Sequence, residues 1–358
     1  MVFGSDGIFK IPFADFSMAE QVCTTALIFI MFYGGFGTSW AEARPVAVKA
    51  LLLSTLGVIL TALLTGLFCR CVLGMDLLQG MLIGSVLGST DAASVFAVLR
   101  SKKLSLKYGT SSILELESGS NDPCAYMLTA IILAIMSGQA SGGSIVTMAA
   151  AQVILGILCG AAVAAAAGWV LGHFHFEAEG FDTIFVFSAA IFAYALPSVM
   201  GGNGYLSVYI VGIILGNSSL GNRKALSSFF DAFNGLMQML IFFLLGLLAF
   251  PSRLPAVFLT SLAISAFLTF AARPLAVGIL LAPFKPPPGA VYGHLLVRPS
   301  GRGLHCVCHH GHRQRRPRPG GYLPHCVLRG AVFHHFIGLP ASGRGQKSRH
   351  DRPKRQRA

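Results

Sequence analysis

Charge is what this 358-residue chain has least of: Asp, Glu, Lys and Arg together make up 11%. A water-soluble domain usually carries about 25%, so an ordinary solvated globular surface is excluded for most of the length. The opening residues, 1–16, lack a basic start followed by an apolar run, and no signal peptide is expected there. Disulfide and metal chemistry are also poorly served. Cys23, Cys69, Cys71, Cys124 and Cys159 all lie in or beside apolar blocks, where small buried hydrophobes are the simplest reading. Neither a cofactor nor a bound metal is expected.

Apolar residues are abundant instead, at 54%, and they fall in long blocks. Blocks of spanning length cover 21–36, 46–68, 77–99, 113–136, 145–171, 181–196, 205–216, 229–250 and 256–281. Backbone groups in lipid must be satisfied internally, so helices are the default. The alternating pattern of a membrane barrel is missing. The fold class expected is therefore an all-α polytopic membrane protein, with a transmembrane domain of about nine helices over 1–286. Positive charge orients it. Arg44, Lys49, Arg100, Lys102, Lys103, Lys107, Arg223, Lys224 and Lys285 follow odd-numbered blocks, whereas the even-numbered connections offer only Arg70 and Arg253. The odd connections then face the cytoplasm.

Two blocks are interrupted. The third is broken by Gly84-Ser85-Val86-Leu87-Gly88-Ser89-Thr90-Asp91, and Gly201-Gly202-Asn203-Gly204 parts the sixth from the seventh. Broken helices at membrane depth mark secondary transporters. Glycines between helices are also ordinary loop chemistry, so the first break carries the weight.

Among the ionisable groups inside apolar blocks, four stand out: Asp91, Glu117, Asp122 and Arg273. Each costs about 2.5–3.5 kcal/mol at the bilayer centre even on the lenient insertion scale. Asp122 stands four residues after Ser118, on the same helical face. A carboxylate and a hydroxyl there supply oxygens to a hard monovalent cation, and the same carboxylate can hold a proton instead, because burial penalises charge. Asp91 follows Thr90 at the break, where it would cap a half-helix beginning at Ala92. Glu117 and Arg273 are natural partners for a buried ion pair; Glu115 could lie nearer a helix end.

The elements Gly88-Ser89-Thr90-Asp91-Ala92-Ala93 and Leu114-Glu115-Leu116-Glu117-Ser118-Gly119-Ser120-Asn121-Asp122-Pro123 resemble the electroneutral, NhaP-type branch of the monovalent cation/proton antiporters. The likeness continues through Tyr205-Leu206-Ser207-Val208-Tyr209-Ile210-Val211-Gly212, Leu215-Gly216-Asn217, Leu245-Gly246-Leu247-Leu248 and Ala272-Arg273-Pro274. It implies an inverted-repeat fold with broken helices, a core domain moving against a dimerisation domain, and a homodimer in a bacterial inner membrane. It implies exchange of Na+ or K+ for H+, with Asp122 binding cation or proton, Ser118 and Thr90 as supporting ligands, and a Glu117–Arg273 bridge. Asn121 fills the place where electrogenic relatives carry a second acid, so one proton is exchanged per cation. Asp91 supports the site. Against that pattern the chain is expected to be incomplete at both ends: the family has further helices before Gln21, and a broken helix with a Gly-Leu-Arg-Gly element after Leu296. Weak transport or none is the corresponding expectation.

From Val297 the composition changes. Of the 27 Lys and Arg and 14 acids in the chain, 14 basic residues and a single acid, Asp351, fall in 297–358, so the whole net charge of +13 belongs there; so do eight of the 11 His. Cys306, Cys308, His309 and His312 invite a zinc-site reading. A one-nucleotide frameshift between Val297 and Gly303 accounts for them better, since His and Cys codons shifted forward by one base read as Ile, Thr, Met, Val or Ala. The tail is thus expected to be out of frame and disordered. Its alternative is a genuine basic tail through which a non-transporting membrane protein binds partners. Nucleic acid is not an expected partner, because the body, with 13 basic and 13 acidic residues, is neutral.

Overall fold

The computed structural model describes residues 15–89, 110–139, 142–174, 180–220, 222–250, 252 and 254–284, with Gly4, Ile8, Phe9, Phe13, 325–326 and 337–338. Thr90, Asp91 and most of 297–358, including Cys306, Cys308, His309 and His312, lie outside the described residues. The helices are α1 (Phe16–Phe36), α2 (Trp40–Ala43), α3 (Ala47–Leu73), α4 (Leu77–Gly88), α5 (Thr110–Met136), α6 (Gly142–His173), α7 (Phe181–Val199), α8 (Gly204–Gly216), α9 (Arg223–Leu248), α10 (Leu254–Phe267) and α11 (Arg273–Leu281). A single π-helical turn, Leu268–Ala272, joins the last two into one rod. The described strands are a two-residue antiparallel pair, His325–Cys326 with Ile337–Gly338.

Each of the nine apolar blocks has a helix within it. Six helical stretches are long and apolar enough to cross a membrane, and α4 and α8 are shorter apolar helices. The chain is a polytopic helical membrane protein. Ends differ from the apolar blocks where capping decides them. α1 starts at Phe16 because the Asp15 side chain accepts the Met18 amide at 2.9 Å. α4 corrects the expected position of the first break. It stays helical through Gly84 and Ser85 to Gly88, and the chain turns extended only at Ser89. Gly84 is there for packing: a Cβ on it would lie 2.7 Å from Ala62 Cα in α3.

Packing sorts the helices into two bodies. α1, α6, α7, α8 and α9 form a panel, whose core gathers Phe29, Phe32, Phe36, Phe230, Val208 and Leu215. Within it α1 and α8 touch backbone to backbone, since a Cβ on Gly212 would strike the Phe32 carbonyl and one on Gly35 the Tyr209 carbonyl. The second body packs α3 against α4, α5 and α11, with smaller apolar clusters around Leu53, Ile113 and Val277 and around Cys69, Ile83 and Ile264. α5 belongs to this body and also meets α1, α6 and α8 of the panel.

Candidate functional site

The polar centre of the second body is built on α5. Its sequence offers two stripes on adjacent sides. One carries Ser118, Asp122, Ala125 and Thr129; the other carries Gly119, Pro123 and Tyr126. The first stripe faces α4. Ser85 Oγ lies 2.9 Å from Thr129 Oγ1, and one turn further along α4, Ser89 Oγ reaches both Asp122 Oδ1 and Asn121 Oδ1, the latter at 3.2 Å. Ser118, Asn121, Asp122 and Ser89 are all buried. Ser118 Oγ and Asn121 Nδ2 have no hydrogen-bond partner among the described residues.

One hydroxyl proton cannot serve two acceptors, so the network has two consistent forms. With Asp122 ionised, Ser89 donates to the carboxylate, and the Asn121 amide turns to donate Nδ2 to Ser89 Oγ. Asn121 Oδ1 and Ser118 Oγ are then oxygens without donors beside a carboxylate, a donor set suited to a hard alkali cation. With Asp122 protonated, the carboxyl donates to Ser89, and Ser89 donates to Asn121 Oδ1. The chain of bonds reverses, and each form satisfies the Asp122–Ser89–Asn121 contacts.

Helix defects sit beside this network. Pro123 has no N–H, so the Gly119 carbonyl lacks its intrahelical donor one turn from Asp122. α4 ends at Gly88, whose carbonyl is one of the orphan acceptors of a helix C-terminus. Arg273 supplies the donor: its Nη2 donates to the Gly88 carbonyl, and its Nη1 lies 3.9 Å from Glu117 Oε1. The guanidinium thus balances a buried carboxylate and the negative end of the α4 dipole together. Arg273 follows directly on the π turn, its backbone amide donating to the Leu268 carbonyl, and Pro274 after it has no N–H to donate.

Of the residues expected from the sequence, Asp122, Ser118 and Asn121 come together on α5, and Glu117 and Arg273 meet beside them. Thr90 and Asp91 are outside the described residues. Ser89 and the Gly88 carbonyl were not singled out, although both stand in the quoted break motif. Among the described residues no group of three His, Cys, Asp or Glu could hold a metal ion.

A two-body helical membrane fold, with a carboxylate and hydroxyls buried against the end of a broken helix, is the architecture of a secondary transporter. The family model described as "Sodium/hydrogen exchanger, transmembrane" matches residues 1–295, and the chain belongs to that family. The K(+)/H(+) antiporter NhaP2 of Shewanella oneidensis is 38% identical over 288 residues, 79% of this chain and 49% of that protein. The K(+)/H(+) antiporter NhaP of Alkalimonas amylolytica is 36% identical over 295 residues, 80% and 50% of the two chains. The chain therefore spans about half the length of the curated relatives it matches. The solved structure of the sodium proton antiporter MjNhaP1 from Methanocaldococcus jannaschii at pH 8 superposes with a TM-score of 0.76 at 23% identity, covering 86% of this chain and 76% of that one. This likeness shows the fold. The family match ends two residues before the composition changes at Val297.

Proposed function

We propose that the protein exchanges K+ or Na+ for H+ across a bacterial inner membrane by alternating access, with Asp122 carrying either the cation or the proton. The observation that carries this reading is the buried Asp122 facing Ser89 at the end of α4, with the donorless Ser118 hydroxyl one turn before it. A site that holds one positive ion at a time obliges the two to compete, which is the coupling that exchange needs. One titrating carboxylate gives one proton per cation and moves no net charge. Potassium is the first cation to test, because the Shewanella and Alkalimonas relatives are both named as K(+)/H(+) antiporters.

The test is the full chain in proteoliposomes containing a pH-sensitive dye, pulsed with K+ and separately with Na+. Asp122→Asn, which can no longer take up and release a proton, is expected to abolish exchange at unchanged yield and thermal stability. Because this chain is expected to transport weakly, cation binding is read alongside exchange: a parent chain that neither moves the internal pH nor binds K+ or Na+ through Asp122, or Asp122→Asn behaving as the parent in both, overturns the reading.

A further inference from the structure

The second stripe of α5 faces the panel, and its three residues each meet α8. Gly119 lies under the Tyr209 ring: a Cβ there would stand 2.6 Å from both Tyr209 Cε2 and its hydroxyl oxygen. Tyr126 packs edge to face on Tyr205, with ring centroids 4.8 Å apart. Between them, Asn203 Nδ2 donates to the Pro123 carbonyl at 2.9 Å.

Asn203 is 2% exposed, and its polar groups are divided between three helices. Its Oδ1 accepts the Leu206 amide at 3.0 Å and so caps α8. Its own amide donates to the Gln152 carbonyl of α6 at 3.1 Å. Its Nδ2 alone crosses to α5. On the panel side α6 runs against this turn and the start of α8 backbone to backbone: a Cβ on Gly156 would lie 3.0 Å from the Asn203 carbonyl, and one on Gly160 2.7 Å from that of Ser207. On the α5 side, the carbonyl has two lone pairs, so Pro123 accepts from Asn203 without giving up its place in the helix. That carbonyl belongs to the residue directly after Asp122.

We propose that Asn203 is a positioning residue for Asp122: by holding the Pro123 carbonyl it fastens the ion-bearing helix to the panel and favours the arrangement described here over others in which the two bodies have moved. The inference rests on Asp122 being the ion carrier. Movement of one body past the other must break this bond and slide Gly119 under Tyr209, so the seam sets how much of the protein stands ready to take a cation from one side. Apparent cation affinity scales with that fraction.

Asn203→Ser separates the clamp from the cap. The serine hydroxyl still accepts from the first turn of α8, but it is too short to reach Pro123. Two readouts are needed, with the full chain in lipid nanodiscs and in proteoliposomes. In nanodiscs, amide hydrogen exchange in α5 after Pro123 is expected to rise about fivefold, the weight of one net hydrogen bond, with α7 unchanged. In proteoliposomes, the half-saturating K+ concentration is expected to move by a similar factor while exchange stays dependent on Asp122. Gly119→Ala, which forces the Tyr209 ring back, should raise the same α5 exchange. Parental α5 protection in Asn203→Ser overturns the proposal, as does a uniform rise across all helices, which marks general loosening. Exchange that survives Asp122→Asn sinks the carrier reading alone, and the α5 protection result stands without it.

Discussion

The two bodies of this protein bury different things. The panel of α1 and α6–α9 is held largely by ring stacks and bare backbone contacts, with Glu20, Gln152, Asn203, Ser207 and Asn234 among its buried polar side chains: Phe29 stacks on Phe187 at 4.2 Å, Phe32 packs on Phe230 at 4.6 Å, and Gly35 and Gly212 let α1 and α8 touch. The body of α3–α5, α10 and α11 buries Glu117, Asp122, Asn121 and five hydroxyls of α4 and α5, at Ser85, Ser89, Ser118, Ser120 and Thr129. Carbon packed on carbon has a single good arrangement, and interiors of that kind resist deformation. A polar network whose hydrogen bonds run equally well in either direction has two. On the function proposed above, the difference puts rigidity in the panel and switching in the body with the carboxylate.

The contrast can be broken most forcefully at Arg273. Arg273→Ala takes the cation from Glu117 and the donor from the Gly88 carbonyl, and should lower stability by about 3–5 kcal/mol, read by thermal unfolding in detergent. Adding Glu117→Ala should recover part of that loss; a double variant as unstable as the sum of the two singles would mean that the pair, 3.9 Å apart, is uncoupled. The panel should respond to volume instead of charge. Gly212→Ala pushes a methyl into the Phe32 carbonyl and should cost about 1–3 kcal/mol by overpacking, while the half-saturating cation concentration of the surviving protein stays at the parental value. A shift in that concentration would show that packing inside the panel, and not the Asn203 seam alone, tunes the site. The smallest effect belongs to Ser118→Ala, which removes one oxygen and almost no volume. It should raise the half-saturating cation concentration about fivefold, in line with one modest polar contact, and leave thermal stability unchanged.

Much of the fold was legible before any coordinates. Long apolar blocks permit little but helices in lipid, so each of the nine has a helix within it. The bounds moved where side-chain caps, which carry no hydropathy signal, set them, as Asp15 does for α1. The need of Arg273 for a buried partner was legible too, because a bare guanidinium at that depth is costly. Its second bond, to the Gly88 carbonyl, was not: which carbonyl ends a broken helix depends on where the helix stops. Gly84 illustrates why that stop was misplaced. A glycine before a polar motif reads as a helix breaker, yet here it remains helical so that α3 can come close.

Asn203 shows the same limit from the other side. In the sequence it sits in a glycine-rich linker, where asparagine is ordinary turn chemistry. Its cap on α8 is a local matter of three residues, but the bond from its Nδ2 to Pro123 spans 80 positions. The sequence by itself determined the membrane-spanning character, the number of apolar blocks, and the acid and hydroxyl one turn apart on α5, because these follow from composition and helical period. Only the tertiary structure decided that Ser89 reaches Asp122, that Arg273 closes the end of α4 and that Asn203 ties α5 to the panel. Each of those depends on which helices become neighbours, and close neighbours are chosen by shape, through small residues and freed backbone groups that look alike in one dimension.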